Sequence, residues 1–170
     1  PAQPSFIENK GQWNKLALYK MDIPGGALFL EKDAFTYNFF KEEDVKHSHA
    51  HHGDATNHDN KITHFHAYKL EFTNSNPTRI TGSQKCSDYC NYFLGNDKSR
   101  WASKAERYKS VYYENMYPSI DLKIYITEQN QLKYDFIIHP GGAPEYIRMA
   151  YKGTDNVKLL SNGNLEITTS

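Results

Sequence analysis

The chain has 170 residues and carries 20 basic and 20 acidic side chains, so its formal charge is zero. A length of about 100–200 residues fits one domain. The balanced charge, with no basic block, excludes nucleic acid as the main partner, because phosphate binding needs a local excess of Lys and Arg. No apolar run reaches the roughly 18 residues of a membrane span, so no membrane insertion is expected.

The opening Pro1-Ala2-Gln3-Pro4 is compatible with a mature terminus left by signal cleavage, which would place the protein outside the cell. Segments 27–31 and 34–40 are split by Lys32-Asp33 and read as a hairpin, with Phe35, Tyr37 and Phe39 on one side of the second strand. Residues 41–61 hold almost nothing that could join a core and read as an exposed His-rich insert. Segment 64–73 alternates again, with Tyr68, Leu70 and Phe72 on one side and Lys69 and Glu71 on the other. Residues 98–107 fit one or two helical turns without a continuous apolar stripe. Segments 120–126 and 131–138 form a second hairpin around a polar link. Segments 156–160 and 164–168 form a third around Ser161-Asn162-Gly163, where Asn-Gly supplies the positive φ of a tight turn.

Short strands between turn residues point to an all-β fold, and a two-sheet antiparallel β-sandwich with little helix is expected. Aromatic content agrees, since 13 Tyr, 9 Phe and 2 Trp stand in a chain whose mean hydropathy is −0.78. Flat rings pack well on a pleated, half-buried surface. Residues 1–170 are read as a single β domain carrying the insert.

Histidine is the concentrated chemical signal. His47, His49, His51, His52 and His58 lie in the insert, and His64 and His66 open the following strand. Imidazole is the commonest protein ligand for zinc and also suits copper. His-x-His on extended backbone sets two rings on one side, about 7 Å apart. The candidate ligands are therefore His47, His49, His51, His52, His64 and His66, with Asp44, Asp54 and Asp59 near them. A His-rich polar tract also binds metal weakly by composition alone, and no structural-zinc spacing accompanies this one. His66 shares a side with Tyr68, Leu70 and Phe72, which equally fits a core histidine. Zinc or copper is thus an optional ion, and no cofactor is required.

Cys86 and Cys90 either close a disulfide across a tight turn or stand as two free thiols beside a strand. No Gly-x-Ser-x-Gly elbow is present. Asp135 and His139 share a side but lie about 13 Å apart along an extended strand. Glu114, Asp121 and Asp135 read as outward-facing strand residues, so an enzyme is not expected. Tyr108, Tyr112, Tyr113, Tyr117 and Tyr125 form either a glycan or protein contact surface or part of the core.

Six ordered stretches carry a resemblance: 6–13 (FIENKGQW), 24–31 (PGGALFLE), 66–68 (HAY), 91–97 (NYFLGND) with Trp101, 117–122 (YPSIDL) and 132–141 (LKYDFIIHPG). Together they resemble the N-terminal domain of large secreted proteins of gliding and related Bacteroidetes. The resemblance implies a secreted, cell-surface chain in which such a domain precedes propeller-type, PKD-like or other immunoglobulin-like modules and a type IX secretion sorting domain. It implies no catalytic residues. Ser119 stands where the pattern has Gly, and Ser there implies a turn with no strict need for positive φ. The cysteine pair is no part of the pattern. The expected function is a non-catalytic structural or interaction module supporting adhesion or assembly, with protein or glycan partners. The alternatives are a metal-binding module and a glycan-binding domain. Oligomeric state stays open.

Overall fold

The structure is a computed structural model that describes residues 3–40, 65–93 and 95–169. Its strands are β1 (Phe6–Glu8), β2 (Tyr19–Ile23), β3 (Gly26–Leu30), β4 (Ala34–Phe40), β5 (Phe65–Phe72), β6 (Arg79–Tyr92), β7 (Ala102–Tyr117), β8 (Ile120–Ile126), β9 (Leu132–Ile138), β10 (Met149–Lys152), β11 (Asn156–Leu159) and β12 (Leu165–Thr168). The helical content among the described residues is two single 3-10 turns, Lys98–Arg100 and Pro144–Tyr146. Among the described residues, no helix is long and apolar enough to cross a membrane.

The all-β class and the three hairpins stand as expected, but the division into two separate sheets needs correction. Ten strands form one antiparallel sheet in the order β10-β5-β4-β3-β2-β1-β7-β8-β9, with β6 also paired to β7. The registers show how it curls into a half-barrel. β6 runs along one edge of β7, while the other edge is divided between β1 at Arg107 and Tyr108 and β8 from Ser110 to Tyr117. β7 therefore belongs to two wings that diverge at Lys109, and strands that bend or bulge are how one sheet turns such a corner. Gln84 (φ 56°), Lys104 (φ 54°) and Asn115 (φ 48°) supply left-handed kinks in β6 and β7.

The inner faces of the two wings meet. Phe35 on β4 lies 6.2 Å, centroid to centroid, from Tyr134 on β9, and Phe72 on β5 lies 6.1 Å from Phe136. The central layer of Leu28, Leu30, Phe35, Leu70, Phe72, Val111, Tyr113, Leu122 and Ile124 is at most 2% exposed. Truncating one of these Leu residues to Ala would cost about 2–5 kcal/mol. Towards the far end of β4 and β5 the core opens into a half-buried ladder, where Tyr37 stacks on Tyr68 at 4.7 Å and Phe39 on Tyr68 at 6.1 Å.

Two further expectations change. The segment read as helical turns, 98–107, is a single 3-10 turn followed by the start of β7. Ser119 has φ 55°, so the turn does use the left-handed region, and a residue with a Cβ occupies it at some cost. The hairpin β11–β12 stands apart as its own two-stranded sheet, with Leu159 71% exposed.

Candidate functional site

The motif segments 117–122 and 132–141 converge on Asp121. This residue was expected to face outward, yet it is 8% exposed. Its carboxylate accepts bonds from the Asn115 backbone N–H at 2.7 Å and the Tyr112 hydroxyl at 2.7 Å, and lies 2.6 Å from His139 Nε2. The reason lies in β7. Between Tyr113, opposite Leu122, and Tyr117, opposite Ile120, the strand carries extra residues, and the displaced Asn115 N–H finds its acceptor in Asp121. The backbone N–H of His139 donates to the Ser119 carbonyl at 2.9 Å, which closes the adjoining turn. Burial raises the Asp121 pKa, but the bonds donated by Asn115, His139 and Tyr112 outweigh it and hold the carboxyl below the ordinary aspartate value. The Tyr112 phenol is pushed up to about 12, chiefly by its bond to that carboxylate. The cluster resembles part of a catalytic constellation, but both carboxylate oxygens are engaged in holding the bulge and the adjoining turn.

A cavity of about 920 Å³ opens between Gln3, the β6 bulge and the β8–β9 loop. Its cations are already engaged. Arg107 Nε donates to Ser5 Oγ at 2.7 Å, its Nη2 donates to the Gln3 carbonyl at 2.7 Å, and its Nη1 pairs with Asp88. Lys109 donates to Gln3 Oε1 and the Pro4 carbonyl. These bonds fasten the N-terminal segment at the point where the two wings diverge. Cys86 lies within the bulge on β6 and Cys90 just beyond it, and both are free thiols here.

The segments 6–13 and 91–101 meet elsewhere, on one loop platform, and each is rigidified by its own polar side chains. Asn9 donates to the Asn14 carbonyl at 2.9 Å and the Ala17 carbonyl at 2.6 Å, and accepts from Gly11 N–H at 3.0 Å. Gln12, fully buried, accepts from Lys10 N–H at 2.6 Å and donates to the Glu8 carbonyl at 2.8 Å. On the second loop Asp97 accepts from the Ser99 N–H at 3.0 Å and hydroxyl at 2.6 Å. Those bonds hold the Asp97 carboxyl below its usual range. The Trp101 indole N–H donates to the Gly95 carbonyl at 3.1 Å. Lys10 Nζ ties the first loop to the start of β7, next to the second loop, by donating to the Lys104 carbonyl at 3.0 Å.

Held this way, Phe93 and Trp101 pack edge to face at 5.6 Å, yet remain 60% and 39% exposed. Lys98 Nζ stands 5.8 Å from the indole centroid. Leu16, at 59% exposure, lies on the neighbouring loop. This platform was not identified in the sequence, although both segments were singled out.

The tyrosine surface considered from sequence does not form as a patch. Tyr113 and Tyr117 are buried, and their hydroxyls donate to the Glu31 and Arg148 carbonyls. Of the candidate metal ligands, His47, His49, His51, His52 and His64 lie outside the described residues. His66 faces inward opposite Phe39, and its buried Nε2 has no hydrogen-bond partner among the described residues. Among the described residues, no group of three or more His, Cys, Asp or Glu is placed to hold a metal.

A family model described as "Domain of unknown function (DUF7948)" matches residues 6–170. The chain belongs to that family. No curated protein and no solved structure matches it. The DUF7948 match takes in both wings, the Asp121 cluster and both loops of the platform.

Proposed function

We propose that this domain is a non-catalytic interaction module of a secreted or cell-surface protein, and that it works by contact through the platform of residues 9–16, Phe93 and residues 95–101. The observation that carries this reading is the fixed exposure of Phe93 and Trp101. A fold gains little stability from two rings held in water, whereas rings locked in place before contact lower the entropic cost of binding. The Asp121–His139 pair supports the non-catalytic part, because its hydrogen bonds hold a bulge and turn together. Such a module would serve adhesion, or assembly of a longer chain.

The test is the double variant F93A/W101A. Exposed substitutions usually fall within about 0.5 kcal/mol, so its Tm should stay within about 2 °C of the parent. On arrays of immobilised proteins and glycans, the parent should bind a class of ligand that the variant loses. A Tm drop well beyond that range would make the rings structural. Equal array binding by both proteins, or turnover of substrates from a hydrolase panel, would overturn the reading.

A further inference from the structure

The platform carries charge that is scattered along the sequence. Lys98 stands beside the Trp101 ring, Arg100 and Lys104 are exposed on the same stretch of chain, and Lys10, also exposed, reaches the Lys104 carbonyl from the neighbouring loop that carries Lys15. The carboxylates among them are Glu8, which stands 3.7 Å from Lys10, Asp97, which keeps its charge while accepting from Ser99 close to Arg100, and Glu106, which is paired with Lys85 and lies near Lys10, so five cations stand against three carboxylates. Among the described residues, Lys98 and Lys104 form no ion pair. A chain that is neutral as a whole therefore concentrates positive charge beside its exposed rings.

We infer that the platform binds an acidic polysaccharide, one whose sugar rings carry carboxylate or sulfate groups. The inference rests on the interaction reading above and names its ligand. Phe93 and Trp101 meet at 84°, so they present a corner rather than a slot between parallel rings. A pyranose fits such a corner, laying its C–H face on the open Phe93 ring while its equatorial groups point past the edge. A nucleobase gains most from parallel stacking, and its strand needs more cations than this surface collects. A protein partner fits less well, since lysine is depleted and apolar area enriched at protein interfaces. The acidic substituents would meet Lys98, Arg100 and Lys104, and the hydroxyls would meet Asn96 and Ser99.

The experiment follows intrinsic tryptophan fluorescence and calorimetry as the intact domain is titrated with polygalacturonate and with dextran sulfate. Neutral dextran, polyglutamate and an oligo-dT strand are the controls. Binding to at least one acidic polysaccharide is expected, weakening as salt is raised, with no binding to dextran. The triple variant K98A/R100A/K104A should lose about tenfold or more in affinity, since it removes three exposed partners for the acidic groups. F93A/W101A should lose a similar factor while K98A/R100A/K104A keeps the parental Tm. Absence of binding to both acidic polysaccharides overturns the inference. So does polyglutamate or oligo-dT binding as tightly as they do; if the ring variant weakened that binding, the interaction reading would survive. Polysaccharide binding that neither variant weakens overturns both.

Discussion

Replacing Asp121 by Asn tests the account of the fold at its most constrained point. The substitution keeps the shape of the side chain but removes its charge and one acceptor oxygen. The Asn115 N–H, the Tyr112 hydroxyl and His139 Nε2 now converge on a full carboxylate. A hydrogen bond to a charged group contributes about 1.5–3 kcal/mol, and a stranded donor costs about 1–3 kcal/mol. His139 is 48% exposed on its side chain and can turn to water. The Asn115 N–H cannot, because the bulge fixes its direction. The sum is a loss of about 2–4 kcal/mol, or about 5–15 °C in Tm for a domain of this size. Urea denaturation monitored by fluorescence measures it. The sign with pH follows from the depressed Asp121 pKa. Its contribution is full above the unfolded value of about 3.9 and fades as pH falls through the lower folded value. The gap between parent and D121N should therefore narrow below about pH 4. In the variant the Tyr112 phenol should titrate below its present value of about 12. A loss under about 1 kcal/mol, or an equal loss in H139A, would refute the keystone role of Asp121.

Other substitutions probe other parts of the fold. S119G relieves a left-handed residue and should add about 0.5–1 kcal/mol in the same urea assay, since Gly adopts φ 55° without a Cβ clash. G82A should cost about 1–3 kcal/mol, because a Cβ there would sit 2.5 Å from the Tyr108 ring. That ring is held against Tyr19 at 6.0 Å and has little room to move. H66L should leave stability unchanged or raise it by up to about 1 kcal/mol in thermal unfolding, as it removes a buried nitrogen that has no partner among the described residues.

The hairpins β3–β4, β8–β9 and β11–β12 are legible in the sequence because alternation and turn residues agree there. The longest strands are not, and bulges explain why. Ala102 and Ala105 are both buried although they lie three apart, because Lys104 adds a residue to β7 between them. That spacing breaks the alternation by which a strand is read, so the start of β7 is hidden within 98–107. Tyr113 and Tyr117 are likewise both buried across the bulge at Asn115, so counting by twos from either end misplaces their neighbours. Asp121 reads as an outward strand residue for a related reason, since the N–H it serves is created by a bulge on another strand. The platform depends on contacts such as Lys10 to the Lys104 carbonyl, which join segments about ninety residues apart, and no local pattern records that.

The central claim is that residues 9–16, Phe93 and residues 95–101, with Lys104 beside them, are the contact surface. Amide NMR spectra of the labelled domain, recorded during titration with polygalacturonate, dextran sulfate and polyglutamate, test it most directly. The account predicts shift changes centred on Lys10, Phe93, Lys98, Trp101 and Lys104, with the Asp121 cluster and β11–β12 unmoved. Changes centred on β11–β12 or on the aromatic ladder at Tyr37 and Tyr68, or no change with any of the three ligands, would contradict it.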